Sequence, residues 1–124
     1  MSSIEGIDVN EAMAAEIREL HERVCKAIAD PKRLMIIVTL RDGELSVGEI
    51  ADSLGLTQSN ASQHLAILRD RGVVETRRAG TTVYYSLRSY KILQAIDLMR
   101  AFLAEQTPLA PASTAPRMTS IFLG

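Results

Sequence analysis

One cysteine, two histidines and no tryptophan leave this 124-residue chain short of most residues from which covalent and metal chemistry is built. The single Cys25 excludes an internal disulfide and any zinc site made only of cysteines from one chain. His21 and His64 alone leave little for a histidine-rich metal centre. Aromatics make up only 4%, so the core has to be aliphatic. Seven glycines and four prolines are too few for a fibrous or loop-dominated chain. No apolar run approaches the ~20 residues of a membrane span. The acidic start lacks the basic-then-apolar order of a signal peptide, so a cytoplasmic protein without membrane contact is expected. A Ser/His/Asp order, a glycine-rich phosphate loop and a paired-carboxylate pocket are all missing, so no enzyme and no cofactor are expected.

What is present is ordinary for one globular domain: 47% hydrophobic and 23% charged residues. The net charge of −1 hides an asymmetry. Residues 58–91 carry Arg69, Arg71, Arg77, Arg78, Arg88 and Lys91 against Asp70 and Glu75, a net of +4, and the rest of the chain is at −5. A basic segment in an acidic frame is the footprint of a specific nucleic-acid reader rather than of a general coat.

Periodicity divides the chain into a flexible lead (1–8), one domain (9–105) and a flexible, Pro/Ala/Ser/Thr-rich tail (106–124). A helix is expected over 8–29, capped by Asp8 and Glu11. It carries a narrow apolar seam: Met13, Ile17, Leu20, Val24, Ile28. Asp30-Pro31 stops it and starts a second helix, 31–41, apolar nearly all round and expected in mid-core. Ser46 and Glu49 cap a short helix over 46–54, Gly55 ends it, and Thr57 caps a helix over 58–71. Two short helices across a Gly-containing turn form a helix-turn-helix. Val-, Thr- and Tyr-rich stretches at 73–78 and 82–87 flank Ala79-Gly80-Thr81 as a hairpin. A last helix, 89–105, carries a second seam: Ile92, Ile96, Met99, Leu103. The chain is too small to bury both seams, so they predict a homodimer through the first and last helices. The expected class is therefore mainly α with a small β-hairpin, a winged helix-turn-helix.

On a helical wheel Ala61, Leu65 and Leu68 point inward. Ser59 and Gln63 then point outward, Ser62 and Asn60 flank them, and His64 sits at the edge of the buried stripe. This face is short, polar and uncharged, where an ordinary solvated helix would carry Glu and Lys. Asn and Gln bond base edges in two places, hydroxyls reach phosphates, and a helix N-terminus favours an anion. Thr57, Gln58, Ser59, Asn60, Ser62, Gln63 and His64 are the expected contacts to double-stranded DNA. Arg77, Arg78 and Thr81 on the hairpin are expected on the backbone or minor groove. The competing class is a winged-helix module for protein–protein assembly. It would favour an acidic or apolar outward face, which this helix lacks.

The strings ADPKRL (29–34), QSNASQHLAILRDRGVV (58–74) and RRAGTTVYYSL (77–87), in that order, resemble the ArsR/SmtB family of bacterial winged-helix repressors over about residues 10–105. The resemblance implies an autoregulatory homodimeric repressor, with the family's recognition motif falling on Gln58, Ser59, Ser62 and His64. Its operator would be an inverted repeat and its inducer is unknown. It also implies two metal sites whose ligands are missing here. The thiolate pair of the first site falls on Ser46 and Gly48. The second site falls on Ser89, Lys91, Phe102 and Glu105, of which only Glu105 binds metal. What remains is His21 and Cys25, four apart on one helix face, as candidates for a metal ion or for thiol-redox sensing. The ordinary role of a lone helical cysteine is a small buried apolar residue, and that is the expectation for Cys25.

Overall fold

The computed structural model describes residues 3–4 and 7–106, with side chains from Val9 onward. The expected tail beyond Gln106 lies outside the described residues, and so does the Asp8 side chain that the expected cap needs. Two-residue strands β1 (Ser3–Ile4) and β2 (Ile7–Asp8) pair antiparallel ahead of helix α1 (Val9–Leu20). The helix expected over 8–29 does not run on as one α-helix. His21–Cys25 form a π-helical turn, closed by the Lys26 N–H on the His21 carbonyl at 3.1 Å. Such a bulge marks a local departure from the i→i−4 ladder, and the seam read as continuous to Ile28 is interrupted there.

Helix α2 (Pro31–Thr39) begins where Asp-Pro predicts, with the Asp30 carboxylate accepting the Lys32 N–H at 2.7 Å. Partial burial works against ionisation of Asp30. The Lys32 N–H, with His64 and Arg33 nearby, outweighs it and holds the carboxyl below its ordinary value. A 3₁₀ turn, Leu40–Asp42, follows α2. The Ser46–Glu49 capping box is formed in both directions, at 3.2 and 2.9 Å, and starts helix α3 (Val47–Leu54). Gly55 adopts φ +68° at its end, a left-handed conformation costly for any residue with a Cβ. That turn delivers the chain to Thr57, whose hydroxyl accepts the Asn60 N–H at 3.0 Å and caps helix α4 (Gln58–Asp70).

The core is the convergence of these three helices. Ile36, Ile37 and Leu40, Ile50 and Ala51, and Ala61, Leu65 and Leu68 are all at 0–1% exposure. Among the described residues no polar side chain is fully buried, so the core is held by aliphatic packing.

The wing holds one strand more than the expected hairpin. Strands β4 (Val74–Ala79) and β5 (Thr82–Leu87) pair antiparallel through a two-residue loop, Gly80-Thr81. Strand β3 (Leu45–Ser46) adds to the far edge of β5, giving the order β3-β5-β4. A two-residue strand has too few side chains for alternation to register in sequence, which is why it was not anticipated. Helix α5 (Lys91–Gln106) is initiated by the Ser89 hydroxyl, which accepts the Lys91 N–H at 3.2 Å. Residues to Leu93 form one compact unit, and the rest of α5 opens a second.

Candidate nucleic-acid interface

The outward face of α4 is as the helical wheel placed it. Gln58, Ser59, Ser62 and Gln63 are exposed, together with Ala66, while Asn60 and His64 are half-buried. Thr57 is exposed, its oxygen accepting at the cap and its proton left to donate. The helix presents uncharged hydrogen-bonding groups at its N-terminal half and keeps Arg69 and Asp70 to its last turn. Gln58 has a second environment. A Cβ added to Gly48 of α3 would lie 3.3 Å from the Gln58 amide nitrogen. The missing side chain at that position therefore lets Gln58 approach α3.

His64 is tied inward. Its Nδ1 lies 3.2 Å from Nη1 of Arg33; a guanidinium only donates, so Nδ1 is the acceptor. The same guanidinium donates through Nε to the Ala27 carbonyl at 2.5 Å and through Nη2 to the Lys26 carbonyl at 3.3 Å. Arg71, at the C-terminus of α4, donates to the Glu22 carbonyl. Two arginines thus fasten the middle and the C-terminal end of the recognition helix to the segment after α1. Of the expected DNA contacts, His64 therefore has one ring nitrogen used within the fold.

On the wing Arg77, Arg78 and Thr81 are exposed, but the two arginines differ. Arg77 makes a two-point pair with Glu44, Nε to Oε1 at 3.0 Å and Nη2 to Oε2 at 2.5 Å. Its guanidinium lies over the Tyr84 ring, 5.1 Å from the centroid. The hydrogen bond from Arg77 holds the Glu44 carboxyl below its ordinary value despite some desolvation. Arg77 is therefore not the free cation that the sequence implies. Arg78 has no partner among the described residues. Glu44 was not singled out from sequence, because its partner is 33 residues away and they meet only through the order β3-β5-β4.

The two apolar seams show as exposed faces, each on its own helix. On α1 no residue is buried, and Met13, Ile17 and Leu20 are about half exposed, at 54, 52 and 47%. Val24, in the π turn, is half-buried. On α5 the exposed stripe is Leu98, Met99, Phe102 and Leu103. Ile96 is 4% exposed and Ile92 half-buried. Ile96, expected in the seam, is thus buried, while Leu98 and Phe102, absent from the seam read off the sequence, are exposed.

Cys25 is exposed, contrary to the buried role expected of it. It lies in the π turn beyond a helix that buries nothing. His21 is also exposed, its Nδ1 3.7 Å from Glu22. Among the described residues no three His, Cys, Asp or Glu side chains cluster as a metal site. The residues at the family's thiolate positions do not fit a soft metal: Ser46 is occupied as a helix cap, and Gly48 has no side chain. No described helix is long and apolar enough to cross a membrane.

A helix-turn-helix with a polar second helix, followed by a three-stranded wing, defines a winged helix-turn-helix protein. Residues 30–76 match the family model described as "Bacterial regulatory protein, arsR family". The chain is 49% identical over 74 residues to the transcriptional activator HlyU of Vibrio cholerae, covering 60% of this chain and 68% of that one. It is 38% identical over 81 residues to the biofilm growth-associated repressor of Xylella fastidiosa, covering 65% and 71%. Among solved structures, a homodimeric winged helix-turn-helix DNA-binding domain from Mycobacterium bovis superposes with a TM-score of 0.69. It is 31% identical and covers 85% of this chain and 92% of its own. The chain belongs to the arsR family of DNA-binding transcription regulators.

Proposed function

We propose that the chain is a homodimeric repressor that binds an inverted-repeat operator, its own promoter among the targets. The observation that carries this reading is the exposed, uncharged face of Ser59, Ser62 and Gln63 on a helix capped at Thr57. A helix of this kind enters a major groove by its N-terminal half, where Gln63 bonds a base edge and the hydroxyls take phosphates. Arg78 on the wing adds a backbone contact. The apolar faces of α1 and α5 form the dimer, and a two-fold dimer presents two recognition helices to two half-sites. The relatives include an activator as well as a repressor. The same dimer represses when its operator overlaps the promoter.

Electrophoretic mobility shift with the DNA upstream of the protein's own gene tests this reading. A shift that survives excess random duplex supports it. Equal competition by random duplex contradicts it, and no shift on any duplex favours the protein-assembly alternative.

A second reading concerns the releasing signal and is favoured by the exposure of Cys25. Metal or thiol-redox chemistry at Cys25 and His21 would act beside the Lys26 and Ala27 carbonyls that Arg33 binds. Parallel titration of operator complexes of the wild type and Cys25→Ser with zinc, nickel, arsenite and a persulfide donor decides it. A wild-type release lost in the variant supports the second reading. The same behaviour in both rejects it.

A further inference from the structure

Of the two adjacent wing arginines only one is available to a ligand. Arg77 stands opposite Tyr84 in the β4–β5 register, and Tyr84 stands opposite Ser46 in the β5–β3 register. The Arg77 side chain crosses the sheet over the Tyr84 ring and meets Glu44, the residue before β3. Three features act on one guanidinium: two hydrogen bonds to one carboxylate, a ring beneath the cation, and a backbone ladder that holds Arg77 and begins one residue after Glu44. A planar fork matched to a carboxylate loses little further freedom on pairing. Arg78, next in the strand, faces solvent without a partner among the described residues.

From this geometry we infer that Glu44 is a positioning residue for the wing: it withholds Arg77 from DNA phosphates, ties the wing to the loop before the helix-turn-helix, and leaves Arg78 as the wing's backbone contact. The inference rests on the DNA-binding reading above and goes beyond it by separating two arginines that sequence treats alike. A pair so exposed contributes little to stability. Its consequence is in the electrostatics of binding, where each phosphate neutralised by a basic side chain adds about 0.9 to the salt slope.

The test is a double-mutant cycle on salt dependence, with a random-sequence duplex as probe between about 50 and 200 mM salt. Glu44→Gln keeps the shape and removes the charge that holds Arg77. Its slope is expected to steepen by about 0.9, so that its affinity relative to wild type rises about threefold from 200 to 50 mM salt. Arg77→Gln is expected to keep the wild-type slope, and the double variant to match Arg77→Gln. Arg78→Gln is expected to flatten the slope by about 0.9. Should Glu44→Gln unfold by circular dichroism, Glu44→Ala replaces it. It removes the carboxylate altogether and gives the same steepening. A slope flattened by Arg77→Gln as much as by Arg78→Gln overturns the inference, as does a Glu44 effect that persists without Arg77. Absence of wild-type binding at low salt overturns the DNA-binding reading itself, and this inference with it.

Discussion

Removing the Arg33 side chain strips the fold of a three-armed fastening between the turn after α1, helix α2 and the recognition helix. Arg33→Ala loses the bonds to the Ala27 carbonyl, the Lys26 carbonyl and His64 Nδ1. A hydrogen bond from a charged donor contributes about 1.5–3 kcal/mol net, and an exposed one less because water replaces it. The Ala27 and His64 bonds are part-buried and the Lys26 bond is exposed, so the expected loss is about 2–4 kcal/mol. Against a typical domain stability of about 5–15 kcal/mol, that is a large fraction. Urea unfolding followed by circular dichroism reads it as a lower midpoint at unchanged slope. Protomer concentration has to be matched, because a dimer's stability depends on it. Arg33→Lys keeps a charge but cannot hold three diverging acceptors in one plane, and is expected to recover less than half of the loss. A change below about 0.5 kcal/mol on Arg33→Ala, the ordinary range for a surface substitution, would refute the reasoning. Full recovery by lysine would show that charge rather than the fork matters.

Gln63→Ala is expected to weaken operator binding by about 1–3 kcal/mol while leaving random duplex unaffected; competition titrations read both. Met99→Glu or Leu103→Glu places a charge in the exposed stripe of α5 and is expected to dissociate the dimer at micromolar concentration by sedimentation, with the monomer still helical. Ile96→Glu is expected to unfold the chain instead, because Ile96 is buried at 4% exposure. Asp30→Ala is expected to cost about 1 kcal/mol at neutral pH through the lost cap of α2. The folded pKa of Asp30 lies below its ordinary 3.8. The ionised carboxylate's share of that stability is therefore present above pH 3.8 and fades as pH falls through the folded value. Acid unfolding of the two proteins should converge there.

The capping box at Ser46, the Thr57 cap and the Gly55 turn follow local rules, and the sequence carries them without ambiguity. The reading face of α4 follows from one helical period. Non-local partners were not legible. Glu44 and Arg77 meet only once three strands are ordered, and Arg33 meets His64 only once α2 crosses α4. Periodicity placed Ile96 in the seam, and it is buried already in the single chain. A heptad position marks an apolar direction but does not distinguish the chain's own core from a second copy. The π turn at His21–Cys25 has no sequence signature in Glu22, Arg23 and Val24, all tolerated in an α-helix, and the cysteine in it is exposed where composition alone would bury it.

The central claim is that two copies of α4 dock in successive major grooves. Selection of bound duplexes from a random pool, with the stoichiometry of the recovered complexes measured by sedimentation, tests it most directly. The account predicts inverted repeats with half-site centres about 10 base pairs or a small multiple apart, two chains to each duplex, and loss of the consensus in Gln63→Ala. Single asymmetric sites bound by one chain, or no sequence enriched over the starting pool, would contradict it.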